Sequence, residues 1–256
     1  MTADGGTVVE LGGGEAVTIL ERGGAVLAFG AGPRFGGAAR AERARRVAAA
    51  AGAGVHAVRW CDQVHGTLVA TLSEEPGRAL EGAAAVGRCD GLMTAEPGLA
   101  VGVWTADCVP VLLAGGGVVA ALHSGWRGTA AGIVPRAVRR LLVEYGVAPG
   151  DLHAALGPAI GGCCYEVGGE VIEALGRRGV GESVWRRGSR VDLRALLAAE
   201  LAALGVPSGR IERVGGCTAC SGTLASYRRD GAASGRQLSL AVLPADSEPG
   251  TAGCGV

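Results

Sequence analysis

Three residues combine metal-binding or nucleophilic chemistry with a short, turn-like setting between apolar runs: His65 in Asp-Gln-Val-His-Gly, Cys108 in Thr-Ala-Asp-Cys-Val-Pro, and His123 in Leu-His-Ser-Gly-Trp-Arg-Gly. Two imidazoles and a thiolate suit zinc, and a set of three leaves a fourth position for water or substrate. The separations of 43 and 15 residues match no local metal signature, so only folding can join them. Two other readings stay open. Cys108 is a nucleophile activated by a histidine, or it is a small buried residue and the histidines are ordinary hydrogen-bonded side chains. The chain has 4 histidines, and His56 and His153 fall on predicted strands. That is too few for a multicopper centre; copper, if bound, is expected as a single ion competing for the zinc ligands.

Other chemistries are excluded by composition. The 24 basic residues are all arginine, and neither lysine nor asparagine occurs. A lysine Schiff base and a Gly-Lys-Ser/Thr phosphate loop therefore have no residues to build them. The 24 acidic residues balance the arginines, so no broad cationic surface for nucleic acid is expected. No apolar run approaches a membrane span, and Met1–Gly14 lacks the layout of a secretory signal, which makes a cytoplasmic location the expectation. Most of the 8 cysteines are then expected to be reduced. Cys217-Thr-Ala-Cys220 has the spacing of a redox pair or half a zinc site, but it is read as a structural turn, and one of Cys163 and Cys164 is expected to line the cleft.

The elements that must position these residues are short. Strand-length apolar runs occur at Ala25–Phe29, Val55–Trp60, Leu99–Trp104, Val109–Leu113, Val118–Leu122, Leu152–Leu156, Arg210–Val214 and Leu238–Leu243. Helical spacing predicts helices around Ile133–Tyr145, from Leu193 to Leu204 behind Asp192 as N-cap, and over Ala39–Ala51. Gly115–Gly117 reads as a hairpin turn, and the amino-terminal segment before about residue 20 and Asp246–Val256 as loose tails. Strands and helices mix without regular alternation, which predicts an α+β fold in one domain spanning residues 1–256, with its core about 20–244.

Several stretches are similar to a known family. Gln-Val-His-Gly at 63–66, Ala-Asp-Cys-Val-Pro-Val-Leu-Leu at 106–113, His-Ser-Gly-Trp-Arg-Gly at 123–128, Gly-Pro-Ala-Ile-Gly-Gly-Cys-Cys-Tyr-Glu-Val-Gly at 157–168 and Ser-Tyr-Arg-Arg-Asp-Gly at 226–231 resemble the YfiH/YlmD family. That family is variously described as laccase-like multicopper polyphenol oxidoreductase, peptidoglycan editing factor, or zinc-dependent purine nucleoside phosphorylase and adenosine deaminase. The resemblance implies a single-domain α/β/β/α sandwich with mixed sheets. It also implies zinc on His65, Cys108 and His123. The chain departs from the family pattern where Thr223, Leu224 and Ala225 replace the aromatics that usually precede Ser-Tyr-Arg-Arg-Asp-Gly.

On this resemblance the expected activity is phosphate-dependent cleavage of purine nucleosides (adenosine, inosine, methylthioadenosine), with deamination of adenosine as a second activity. Phosphorolysis needs an anion site, and the planar arginine fork suits it. Arg127 is the first candidate and Arg228 the second; the competing role of each is an ion pair with Asp107 or Asp230. Cys108, Asp107 and Arg127 are the expected catalytic residues, and Gln63, Arg127, Glu166, Tyr227 and Arg228 the expected substrate contacts. A deaminase would need a proton shuttle, for which Asp107 and Glu166 are candidates, because the His-x-Glu and Pro-Cys-x-x-Cys pattern is missing. The alternatives are a cysteine amidase editing peptidoglycan precursors, a phenol oxidase, and a non-enzymatic partner of the cell-division machinery. The expected partners are small molecules, a purine nucleoside and phosphate, acting on a monomer.

Overall fold

The computed structural model describes residues 5–32, 39–73 and 81–245. The Asp246–Val256 tail read from the sequence lies outside them, and the amino-terminal segment expected to be loose instead forms strands over Thr7–Gly12 and Glu15–Arg22, which backbone pairing joins to the first sheet. Two sheets face one another. The first has seven strands in the order β1 (Thr7–Gly12), β2 (Glu15–Arg22), β3 (Ala25–Ala31), β15 (Gln237–Val242), β8 (Leu99–Thr105), β4 (Ala57–Trp60) and β6 (Gly82–Ala85). The second has six, ordered β14 (Ile211–Arg213), β11 (His153–Leu156), β9 (Val109–Gly115), β10 (Val118–Ser124), β7 (Gly91–Thr94) and β5 (Val69–Leu72). Both sheets mix parallel and antiparallel pairs. A two-residue ribbon, β12 (Arg186–Arg187) with β13 (Arg190–Val191), stands apart.

Side-chain alternation sorts the core into three apolar layers. Leu27, Phe29, Val101, Val103, Leu112, Ala114, Val119 and Ala121 fill the space between the sheets. The opposite face of the first sheet, with Ala28, Ala100, Trp104 and Leu240, packs on Ala44, Val47 and Ala48 of α1 (Ala39–Ala51). The opposite face of the second sheet, with Val111, Leu113, Ala120 and Leu122, packs on α3 (Ile133–Tyr145) and α6 (Leu193–Ala203). Helix, sheet, sheet, helix is the sandwich the resemblance implies. Because β8, β9 and β10 are covered on both faces, they are buried throughout, and their sequences read as continuous apolar runs without a polar side.

All eight sequence-predicted strands and all three predicted helices are present within a few residues. Asp192 caps α6, its carboxylate accepting the Ala195 N–H at 2.9 Å. Gly116 and Gly117, both at positive φ, close the β9–β10 hairpin as a two-residue turn. The remaining strands, and the short helices α2 (Trp126–Ala130), α4 (Gly169–Gly176), α5 (Glu182–Trp185) and α7 (Tyr227–Asp230), were not anticipated. Among the described residues no helix is long and apolar enough to cross a membrane.

Candidate metal centre and substrate cleft

Strand register explains how residues so far apart in sequence meet. In the β9–β10 hairpin His123 lies opposite Pro110 and Ser124 opposite Val109, one step from Cys108 at the head of β9. β10 also pairs with β7, Leu122 opposite Gly91, which brings His123 beside Asp90. β7 in turn pairs with β5, the strand that leaves the His65 loop. Four adjacent strands, β9, β10, β7 and β5, thus bring His65, Cys108 and His123 to one end of the second sheet. One donor atom from each lies within 4.8 Å of the others. Cys108 Sγ is 3.9 Å from His65 Nε2, and the two imidazole rings cross nearly edge to face at 4.7 Å.

Asp90 organises this group and was missed by the sequence reading. Its carboxylate, 0% exposed, accepts the Nδ1–H of His123 at 2.8 Å and the backbone N–H groups of His65 at 2.9 Å and Gly66 at 2.6 Å. It therefore fixes the left-handed turn at His65 (φ 60°) and, as an acceptor, assigns the proton of His123 to Nδ1. The Nε2 lone pair is left for a metal, the arrangement in which a carboxylate orients a ligating histidine. Burial raises the Asp90 pKa, but the N–H groups of His123, Gly66 and His65 outweigh it, and the carboxyl sits below its usual range. The flanking Cys89 is joined to Cys61 by a disulfide, tying the Asp90 segment to the start of the His65 loop.

Electrostatics polarise the other two donors. Burial pushes the Cys108 thiol up, yet His123 and His65 overcome it and bring the pKa down to about 7. Burial pulls His123 down, yet Asp90 and Cys108 raise it to about 9. Without a metal the pair is thus drawn toward thiolate and imidazolium, and a metal binding at Nε2 of His123 would displace the proton from that nitrogen. Space around it is tight. A Cβ on Gly125 would stand 2.8 Å from Cys108 Sγ and 3.2 Å from His65 Cδ2, so only glycine lets α2 start there. The Ser124 hydroxyl bonds Thr129 at 2.8 Å, fixing the turn that holds His123. A tetrahedral zinc with Zn–N of about 2.0 Å and Zn–S of about 2.3 Å separates its N and S donors by about 3.5 Å, so small side-chain adjustments fit the trio to that ion.

The centre opens into a cavity of about 860 Å³ lined also by Gln63, Asp107, Trp126, Arg127, Tyr165, Tyr227 and Arg228. Arg127 lies 4.3 Å from the Trp126 ring centroid, and among the described residues no carboxylate pairs with it. Arg228 lies over Tyr165 at 5.2 Å and donates to the Glu166 carbonyl at 2.9 Å. Asp230 instead pairs with Arg229. Burial pushes the Tyr165 phenol up to about 12.

Two expected site residues have other duties. The Gln63 amide donates to the Trp104 carbonyl at 2.7 Å and accepts the Trp104 N–H at 2.8 Å, clamping the loop to β8. Asp107, at φ 86°, accepts from the hydroxyls of Thr218 at 2.5 Å and Ser226 at 2.7 Å and from the Arg228 N–H at 2.6 Å. Glu166 does not join the group: it is exposed, outside the cavity lining, and accepts from Ser189. Neither Cys163 nor Cys164 lines this cavity, contrary to the expectation, because both turn toward Cys220. The cavity adds residues the sequence did not single out, among them Asp62, Arg40, Arg88 and Arg236. Leu224 and Ala225 are buried outside the lining, so the aromatic surface comes from Trp104, Trp126, Tyr165 and Tyr227 instead.

The chain is similar to known proteins. A family model described as "Multi-copper polyphenol oxidoreductase laccase" matches residues 37–244. Purine nucleoside phosphorylase YlmD of Geobacillus stearothermophilus is 39% identical over 195 residues, 71% of each chain. Adenosine deaminase RL5, from an unknown prokaryotic organism, is 39% identical over 186 residues, 68% of this chain and 70% of its own. Among solved structures, Bacillus licheniformis YfiH superposes with a TM-score of 0.78 at 26% identity, covering 91% of this chain and 98% of that one. The matched span includes His65, Cys108 and His123, and the chain belongs to the multi-copper polyphenol oxidoreductase laccase family, the YfiH family.

Proposed function

We propose that this protein is a purine nucleoside phosphorylase, as several of its relatives are named, and that it depends on zinc. The observation that carries this reading is the presence, in one cavity, of the His65–Cys108–His123 centre, the Arg127 guanidinium, which among the described residues no carboxylate pairs with, and the aromatic side chains of Trp104, Trp126, Tyr165 and Tyr227. Arg127 binds phosphate through its planar fork, with Arg228 on the Tyr165 side as its second contact. Tyr165, Tyr227 and Trp126 offer faces on which a purine stacks. His65, Cys108 and His123 would hold the zinc, which when bound would supply Lewis-acid polarisation. Asp90 keeps Nδ1 of His123 protonated and the ring aimed. Asp107, whose two oxygens are engaged by Thr218, Ser226 and Arg228, positions the Cys108 turn and the α7 segment instead of moving protons.

A multicopper centre is disfavoured because the group has three donors and, among the described residues, neither His56 nor His153 joins them; a single copper would compete with zinc for the same three ligands. Deamination in the manner of RL5 would need a carboxyl group free to shuttle a proton, and Asp62 is the cavity carboxylate left for it. The test is chromatography of adenosine and inosine incubated with and without phosphate. Free base is expected only with phosphate, and Arg127→Ala is expected to raise the phosphate KM. Base release at the same rate without phosphate would refute phosphorolysis.

A further inference from the structure

Four cysteines form a second donor group outside the cavity just described. Cys163 and Cys164 come from the loop after β11, Cys217 and Cys220 from the turn after β14, and their sulfurs all lie within 4.8 Å of one another. Cys220 Sγ is 3.5 Å from Cys163 Sγ and 3.3 Å from Cys164 Sγ. These separations are well beyond the disulfide bond length of about 2.05 Å. They fall a little short of the roughly 3.8 Å edge of a tetrahedron whose corners lie about 2.3 Å from a central zinc, and the 4.8 Å limit on all four sulfurs leaves room for that edge. The two turns are held face to face by backbone: Thr218 N–H donates to the Ala159 carbonyl at 3.0 Å, within a parallel bridge between Ala159 and Cys217. The Gly161 N–H donates to Cys217 Sγ at 3.2 Å. Gly161 lacks a Cβ where one would press on Cys217 Cβ at 3.3 Å and Cys163 Sγ at 3.4 Å. Four thiolates around a divalent ion carry net negative charge, and the adjoining pocket answers it: Arg187, Arg190 and Arg194 line it together with Cys163, Cys217 and Asp192.

We propose that Cys163, Cys164, Cys217 and Cys220 form a closed, all-thiolate zinc site that staples these two turns together. With four protein donors and no open position, the site is structural. Its effect reaches the cavity. The first turn carries Tyr165, and the second carries Thr218, whose hydroxyl holds Asp107. The ligands bind deprotonated, so each zinc taken up releases thiol protons to solvent. The inference is independent of the nucleoside reading, since it concerns a metal count and not turnover.

The experiment is metal analysis of protein loaded with excess zinc under reducing, oxygen-free conditions and then desalted. About two ions per chain are expected in the wild type and about one in His65→Ala/Cys108→Ala, whose cysteine cluster is intact. In that variant, cobalt substitution is expected to give intense thiolate-to-cobalt charge-transfer absorption and tetrahedral visible bands. Cys217→Ser/Cys220→Ser is expected to lose this ion and keep the one at His65, Cys108 and His123. A metal-free His65→Ala/Cys108→Ala protein would overturn the proposal without requiring the cysteine variant to fold. Finding Cys220 disulfide-bonded to Cys163 or Cys164 in the reduced, zinc-loaded wild type would also overturn it, marking a redox pair instead.

Discussion

The two donor groups differ in the ways that separate a working centre from a structural one. His65, Cys108 and His123 offer three mixed donors at the mouth of a cavity of about 860 Å³, and a fully buried carboxylate holds one of them in a single tautomer. The four cysteines offer sulfur alone and face a smaller pocket of about 380 Å³. An incomplete ligand set that opens on bulk leaves room for a reactant; a complete one does not. The groups are nevertheless mechanically joined. Asp107, next to Cys108, accepts the hydroxyl of Thr218, next to Cys217, and its carbonyl accepts the Ile160 N–H at 2.9 Å. These contacts tie the cysteine turns to the wall of the cavity.

Substitutions can break this comparison, beginning with Asp90→Ala. Removing a buried acceptor of several N–H groups is expected to cost about 3–5 kcal/mol of stability and to weaken zinc binding at the open centre by about 10–100-fold. Thermal denaturation and competition with a chelator measure the two. An unchanged affinity would show that the His123 ring needs no orienting partner. Arg127→Ala is expected to lower kcat/KM for phosphate by about 10–100-fold through loss of a charge-assisted pair, with the metal count unchanged. Gly125→Ala drives a Cβ against Cys108 Sγ and His65 Cδ2. It is expected to weaken the open centre by roughly tenfold, as an imperfect ligand geometry does, and to leave the cysteine cluster filled. Thr218→Val is the mildest, a loss of about 1–3 kcal/mol as Asp107 gives up one donor. It sharpens the comparison most, because a fall in kcat with both metals retained would report the strap alone.

What the sequence disclosed follows from where physics is local. Residues 109–115 and 118–124 read as strands because both faces are buried and the Gly116–Gly117 turn announces the hairpin. His65, Cys108 and His123 stand out because their chemistry is unusual in this chain and their motifs match a family. Asp90 was hidden. In Cys-Asp-Gly an aspartate looks like a turn residue, and only the register of β5, β7 and β10 reveals four donors converging on it. β6, read as Gly-Ala-Ala-Ala, carries no strand propensity and exists because β4 pairs with it. Gln63 was misjudged for a related reason: an amide free to meet a substrate and one spent on the Trp104 backbone have the same sequence. The cysteine cluster was split into two unrelated motifs, since the bridge between Ala159 and Cys217 that joins them is a long-range pairing.

The most direct test of the central claim is an anomalous difference map, recorded at the zinc edge, from crystals of the zinc-loaded protein. A peak is expected about 2.0–2.1 Å from Nε2 of His65 and of His123 and about 2.3 Å from Cys108 Sγ, with its fourth position facing the cavity. A zinc-loaded crystal with no peak among these three atoms, or with their side chains turned apart, would contradict the account.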